Sequence, residues 1–106
     1  MTQSKATGWE IHVTYGAGDD IRQLRVHDQR RIRDATEASL RFEPTAVARN
    51  RKPLPGISSP LSEHKEIWEL RVGQYRVFYD VNPEEHVVTV LRIRLKPSHL
   101  TTEDIL

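Results

Sequence analysis

The sequence predicts an α+β domain in which an antiparallel sheet carries two helices on one face. Residues 67–81 read as a hairpin, and residues 86–94 alternate in the same way, so a three-strand meander fills the second half of the chain. Two helical segments lie between residues 19 and 41, and a strand at residues 9–15 precedes them. The expected element order is therefore β-α-α-β-β-β.

The hairpin turns at Gly73. Glycine at the first turn position accepts the positive φ that a type II′ turn requires. This turn places Arg71 opposite Arg76 and Trp68 opposite Tyr79. Side chains alternate along a strand, so the two faces of the hairpin differ. The core face comprises Trp68, Leu70, Val72, Tyr75, Val77 and Tyr79, and the second face comprises Glu69, Arg71, Arg76, Phe78 and Asp80.

The first half of the chain holds the strand at residues 9–15, which a glycine-containing break at residues 16–18 ends. Aspartates are expected to cap both helices, because their side chains accept hydrogen bonds from free amides of the first turn. The helices are a short one from Asp19 or Asp20 to Leu24, and a longer one over residues 29–41 that follows Asp28.

The second half begins with residues 45–66, a long connection without predicted strand or helix, whose later part at 57–65 reads as a flexible excursion. The third strand of the meander continues the core face and leaves Arg92 and Arg94 on the second face. Thr102 is expected to cap a last helical turn. The core residues expected on the third strand are Val87, Thr89, Leu91, Ile93 and Leu95.

Length and composition indicate one domain at residues 9–106 behind a flexible N-terminus at residues 1–8. The 106 residues include no cysteine, no apolar leader and no membrane-length apolar run, so a cytoplasmic protein without membrane association is expected. The net charge is only +1. Basic residues nevertheless cluster in two stretches, which contain Arg49, Arg51 and Lys52, and Arg92, Arg94, Lys96 and His99.

The second face carries two directly opposed arginines, which repel each other and destabilise a sheet. Something must therefore compensate the charges of Arg71 and Arg76. One interpretation is a phosphate site, because each guanidinium donates two parallel hydrogen bonds. The other is a surface salt-bridge cluster with Glu69 and Asp80.

A cationic surface near one histidine suits RNA cleavage without a metal or cofactor. Arg76 and Arg71 are candidates for holding the phosphate, and Lys96 or Arg94 for adding positive charge. His99 is a candidate for proton transfer and Glu69 for the base. Candidate RNA-binding residues are Arg49, Arg51, Lys52, Arg92 and Arg94. The five histidines show no metal-ligand spacing, so no metal site is expected.

Aromatic residues of the hairpin have two possible roles. Phe78, Trp68 and Tyr79 could stack on unpaired bases. Trp68 and Tyr79 lie on the core face, and burial in the core is the favoured interpretation for both.

The hairpin residues 68–81, with the strand residues 87–93 behind them, resemble the RelE/ParE superfamily of toxins from bacterial type II toxin–antitoxin systems. The basic stretch that starts at Arg49 and the cation Lys96 after the last strand fit one branch of that superfamily. The resemblance implies a β-α-α-β-β-β fold and a cognate antitoxin. It also implies one of two activities for this chain, because RelE-like members cut mRNA on the ribosome, whereas ParE-like members poison DNA gyrase.

The resemblance assigns roles to individual residues. Arg76 matches the arginine that contacts phosphate in RelE-like nucleases, Arg71 the basic residue on the preceding strand, and Lys96 a second cation. His99 lies near the position of a terminal acid. Ile67 and Glu69, however, stand where the best-known nucleases carry lysines.

Three functions are compatible with these residues. The leading hypothesis is a toxin that acts as a ribosome-dependent mRNA endonuclease with Arg76 at its centre. The second is a toxin that binds DNA gyrase without cutting nucleic acid. The third is a toxin fold that is retained only to bind a partner.

Overall fold

The computed structural model describes residues 8–56, 66–97 and 99–105. The predicted flexible N-terminus, apart from Gly8, and the predicted excursion at residues 57–65 lie outside the described residues. The α+β class is confirmed. The strands are β1 (Glu10–Val13), β2 (Arg51–Pro53), β3 (Trp68–Val72), β4 (Tyr75–Asn82) and β5 (Val87–Leu95), and the helices are α1 (Tyr15–Arg22), α2 (Val26–Leu40) and α3 (Thr102–Ile105).

The five strands form one sheet in the order β1-β5-β4-β3-β2. β3, β4 and β5 form the predicted antiparallel meander. The predicted antiparallel sheet is extended at one edge into a mixed sheet, because β1 pairs with β5 in parallel. At the other edge, the connection predicted to lack strands contributes β2, which pairs with β3 through three residues. So short a strand leaves almost no periodic signal in the sequence.

The β3–β4 hairpin has the predicted register, with Arg71 opposite Arg76 and Trp68 opposite Tyr79. Gly73 has a φ of +61°. No other residue of the turn has a positive φ, which is the pattern of a type II′ turn. The turn therefore fixes which side chains share each face of the sheet.

Both helices begin earlier than predicted. The hydroxyl of Thr14 caps α1 by accepting a hydrogen bond from the Ala17 amide at 3.1 Å, so the predicted aspartate cap is wrong. The same hydroxyl donates to the Leu91 carbonyl at 3.0 Å and ties the start of α1 to β5. Tyr15, expected at the end of the first strand, starts this helix and is 94 % exposed.

The second helix, α2, begins at Val26 and has no side-chain cap at Arg25. Asp28, the predicted cap, lies in the first turn instead and accepts a hydrogen bond from the Tyr75 hydroxyl at 3.1 Å. This contact fixes the start of α2 near the tip of the hairpin. Carboxylates in the first turn also interact favourably with the helix dipole.

The main core lies between the helices and the sheet, and Trp68 and Tyr79 are buried in it as expected. A β-bulge changes the predicted pattern on β5, because the register shifts between Phe78 and Tyr79. Leu91 is consequently placed in another cluster, and the core face of β5 shifts by one residue in its first half. The β5 residues in the main core are Val88, Val90 and Ile93.

The second face of the sheet is covered in part, by the connection and the C-terminal turn. Phe78 is fully buried, so the structure does not offer it as a base-stacking ring. It packs in a cluster with Leu91 and with residues from the connection and the C-terminal turn. The other members of that cluster are Leu54, Ile67 and the partly buried Ile105.

Candidate functional site

Three arginines form a row across the second face, one from each strand of the meander. The register pairs Arg71 with Arg76 and Arg76 with Arg94. Three like charges in one row repel each other. The surroundings of each guanidinium therefore decide which of these cations is available to a ligand.

Arg76, at the centre of the row, is 8 % exposed. One terminal nitrogen donates to the carbonyl oxygens of Gly73 at 2.9 Å and Tyr75 at 3.0 Å. Its Nε lies 3.6 Å from a carboxylate oxygen of Glu69, which forms an ion pair with it. The guanidinium is thus occupied by contacts within the protein.

Glu69 is 3 % exposed, and its carboxylate accepts a hydrogen bond from the Thr102 hydroxyl at 2.7 Å. Thr102 starts the C-terminal turn α3, and it was expected to act as the cap of that turn. The cap is instead Thr101, whose hydroxyl accepts a hydrogen bond from the Asp104 amide at 3.3 Å. The C-terminal turn therefore closes over the Glu69–Arg76 pair, which we call the buried pair.

Burial lowers the pKa of Arg76, and the positive charge of Arg71 lowers it further, whereas Glu69 opposes both effects. An arginine side chain is not deprotonated in proteins. The charge on Arg76 therefore persists, and Glu69 is the group that offsets it.

Arg94 and Arg92 lie on the expected strand, but their guanidinium groups turn to the sheet edge and bind Asp20 of α1. Arg94 donates to both carboxylate oxygens at 3.2 Å, and Arg92 donates to them at 3.1 and 3.3 Å. Asp20 also accepts the amide of Ile93 at 2.9 Å, which satisfies a backbone donor at the edge of β5. The expected joint cationic surface of these two arginines with Arg71 and Arg76 is not formed.

Among the basic residues of the connection, Arg51 has a structural position. It donates to the carbonyl oxygens of Ala46 at 2.8 Å and Ser39 at 2.6 Å, so it binds the C-terminal end of α2. Arg49 and Lys52 are exposed. Lys52 lies opposite Glu69 in the sheet register, on the second face.

The remaining predicted site residues lie at the ends of elements. Lys96 is half-buried, and its backbone amide donates to the carbonyl of Gln74 at 2.7 Å next to the hairpin turn. His99 is exposed. Arg71 is also exposed, and its backbone amide bonds the carbonyl of Asn50 at 2.8 Å. Arg71 is therefore the accessible cation of the arginine row.

Asp20 and Thr102 are the two residues of this region whose roles the sequence does not indicate. Asp20 contacts residues more than seventy positions away, and Thr102 contacts a residue thirty-three positions away. Local patterns carry no information on such pairs. No group of three histidine or acidic side chains suited to a metal ion occurs within the described residues.

Comparison with known proteins places these features in a family. The family model described as "ParE toxin of type II toxin-antitoxin system, parDE" matches residues 11–96. A search of curated proteins finds no significant match. None of the described helices has the length and apolarity needed to cross a membrane.

Solved structures share the fold. The RelBE2 toxin–antitoxin complex from Mycobacterium tuberculosis contains a chain with 23% identity and a TM-score of 0.66, matched over 85% of this chain and 100% of that one. The archaeal RelE–RelB complex from Pyrococcus horikoshii gives 21% identity and a TM-score of 0.62, over 85% and 97%. The isolated E. coli RelE toxin gives 16% identity and a TM-score of 0.51, over 91% and 90%.

Proposed function

Because the chain belongs to the ParE toxin family of type II toxin–antitoxin systems, within the RelE/ParE superfamily, we propose that it acts as a toxin on DNA gyrase and does not cut mRNA. The observation that carries this proposal is the buried pair. Arg76, the residue that matches the phosphate-binding arginine of RelE-like nucleases, is 8 % exposed and bound to Glu69.

Phosphoryl chemistry on RNA needs cations that reach the phosphate where negative charge develops. In this chain, the carboxylate of Glu69 lies beside Arg76, at the place where a phosphate would compete with it. Asp20 neutralises Arg92 and Arg94 in the same manner. Phosphate binding at Arg76 or Arg94 would thus have to break an existing ion pair.

Proton transfer needs an acid and a base within hydrogen-bond reach of the reacting oxygens. Glu69, the candidate base, is held behind the Thr102 hydroxyl. His99, the candidate acid, is exposed on the segment that precedes α3. The candidate base is therefore held by contacts within the protein, which favours a toxin that inhibits its target by binding.

The mRNA endonuclease remains the second candidate because Arg71 is exposed beside Arg76 in the arginine row. If the C-terminal turn moved away, Thr102 would release Glu69 and the row would face solvent. This function requires Arg76 for activity, whereas inhibition of gyrase does not require a phosphate-binding cation there.

The test is to induce the toxin in cells without an antitoxin and to measure plasmid supercoiling and transcript 5′ ends in the same samples. We expect loss of supercoiling with intact transcripts. Purified toxin should also block supercoiling by purified gyrase. Transcripts cut at translated codons, with normal supercoiling, would refute the proposal and establish the nuclease.

A double variant without the charges of the buried pair sharpens this test. Glu69→Gln combined with Arg76→Met removes both charges of the buried pair and preserves its volume. We expect this double variant to retain toxicity, whereas a nuclease would lose it. Thermal unfolding of the purified double variant provides the control for folding.

We further propose that a cognate antitoxin, encoded next to the toxin gene, neutralises this chain. The helical side exposes Val26 at 69% and Phe42 at 60%, at the start of α2 and just beyond its end, and these apolar side chains suit an amphipathic partner segment. Co-expression of the small protein encoded next to the toxin gene should restore growth, and this protein should co-purify with the toxin.

A further inference from the structure

A cavity of about 290 Å³ lies at the end of the sheet opposite the hairpin turn, where β3 begins and β4 ends. Both tryptophans of the chain line it, together with one carboxylate. None of its lining residues belongs to the arginine row or to α3. Its lining residues are Trp9, Thr45, Glu66, Trp68, Val81 and Pro83.

Contacts within the protein hold both indole rings in place. The buried Trp68 donates its ring N–H to Glu66 at 3.1 Å and stacks on Tyr79 with the ring centres 6.2 Å apart. Trp9 stacks on His86 at 4.0 Å, and its backbone exchanges two hydrogen bonds with Arg41 at 2.6 and 2.9 Å. The cavity is thus formed before a ligand arrives, which lowers the cost of binding.

The combination of indole rings and a carboxylate matches a cationic side chain. Indole faces attract a cation electrostatically, and a carboxylate adds a charge-assisted hydrogen bond. Glu66 is exposed and forms no ion pair within the described part of the chain, and one of its oxygens already orients Trp68. Guanidinium suits this site best because it stacks on rings and pairs with carboxylates in one plane.

Charge is also segregated along the molecule. Exposed acids occur at the cavity end, where Pro83 is followed by Glu84 and Glu85 in the β4–β5 turn. Exposed cations occur at the opposite end, where the Arg31 guanidinium lies near Gly73 and where Arg71 lies on the second face, one residue before the end of β3. A protein segment that runs the length of the sheet therefore needs a basic residue at the cavity end and acidic residues at the hairpin end.

We propose that this cavity receives an arginine side chain of the cognate antitoxin. The identity of the partner rests on the antitoxin proposed above, whereas the chemistry of the site does not. The arginine would place its guanidinium in the cavity beside the indole rings and pair with Glu66. An antitoxin bound in this way covers the acidic end of the sheet and leaves the buried pair unchanged.

The first experiment uses the toxin alone, with N-acetyl-arginine amide as the probe and N-acetyl-citrulline amide as its neutral control of the same shape. Because both tryptophans line the cavity, intrinsic fluorescence and the two indole N–H resonances report binding directly. We expect a response to the arginine probe and at least about fivefold weaker binding of the citrulline probe.

Glu66→Gln is the matched variant, because its amide oxygen still accepts the Trp68 N–H while its charge is lost. It should weaken the arginine probe about fivefold, whereas Glu84→Gln, on an exposed neighbouring acid, should leave binding unchanged. Circular dichroism establishes that both variants fold. Equal binding of both probes, or the absence of an indole response, would overturn the site.

The second experiment adds the purified neighbouring protein. A bound antitoxin should abolish the response to the arginine probe, and substitution of one antitoxin arginine by glutamine should restore the response and raise the dissociation constant of the complex. An antitoxin that neutralises the toxin while the probe still binds would overturn the proposed occupant but not the toxin's function.

Discussion

The Glu69→Gln variant tests whether Arg76 is a structural residue or a ligand-binding one. The variant keeps the shape of the side chain, and its amide oxygen still accepts the Thr102 hydroxyl, but it removes the charge beside Arg76. Breaking a buried ion pair by removing one partner costs about 3–5 kcal/mol. If Arg76 depends on Glu69 for compensation, the variant must be clearly less stable than the parent.

The structure lowers that figure. The separation of 3.6 Å between Arg76 Nε and the carboxylate exceeds a normal hydrogen bond. Arg76 also keeps its bonds to the carbonyl oxygens of Gly73 and Tyr75. We therefore expect a loss of about 2 kcal/mol in the free energy of unfolding, between a neutral hydrogen bond and a fully broken pair.

The assay is urea unfolding of four proteins: the parent, Glu69→Gln, Arg76→Met and the double variant. Fluorescence of the buried Trp68 follows the transition, and an unchanged m-value establishes that only stability differs. The double-mutant cycle should give a coupling free energy of about 1–2 kcal/mol, because each single variant leaves one buried charge unpaired. A coupling below about 0.5 kcal/mol would refute the buried pair as the reason that the sheet tolerates Arg76.

Other elements give independent tests. Asp20→Asn should lower the free energy of unfolding by about 2 kcal/mol, yet keep the Ile93 amide slow in hydrogen exchange, whereas Asp20→Ala should make that amide fast; equal exchange in both variants would contradict the edge contact. Gly73→Ala should destabilise more than Gly56→Ala in thermal unfolding. Both glycines have positive φ, of +61° and +81°, but Gly73 occupies the first position of a type II′ turn, a conformation that residues with a Cβ rarely adopt. A Cβ there would also displace the flexible end of the Arg31 side chain. Tyr79→Phe should cost about 1 kcal/mol by deleting the 2.6 Å bond to a buried carbonyl. Burial raises the pKa of Tyr79 above its ordinary 10.0, so its contribution is complete below pH 10 and is lost as the pH rises further; the variant should show a weaker alkaline decline in unfolding free energy.

The hairpin could be predicted in full because its information is local. Gly73 fixes the turn type, the alternation fixes the faces, and the two together determine that Arg71 opposes Arg76. The family could be predicted from the same residues. The start of the first helix was harder to predict, because Thr14, Asp19 and Asp20 all suit a helix cap. In the structure, Thr14 is the cap.

Contacts across the chain could not be predicted. The β-bulge at β4 and β5 has no sequence signal, and it moved Leu91 from the expected core face to the second face. The capture of Arg92 by Asp20 depends on where α1 meets the edge of β5. The C-terminal turn covers part of the second face through Thr102 and Ile105. The sequence predicts this turn but does not indicate where it packs.

The arginine row illustrates how a sheet tolerates a pattern that intrinsic stability disfavours. Glu69 forms an ion pair with Arg76, and Asp20 forms one with Arg94. Arg71 alone has no acidic partner within the described residues, and it is exposed. Because its neighbour Arg76 is already compensated, an anionic group of a partner gains most by binding Arg71. The row is therefore two structural cations and one accessible cation, and we expect an anionic group of a partner to bind Arg71 rather than Arg76.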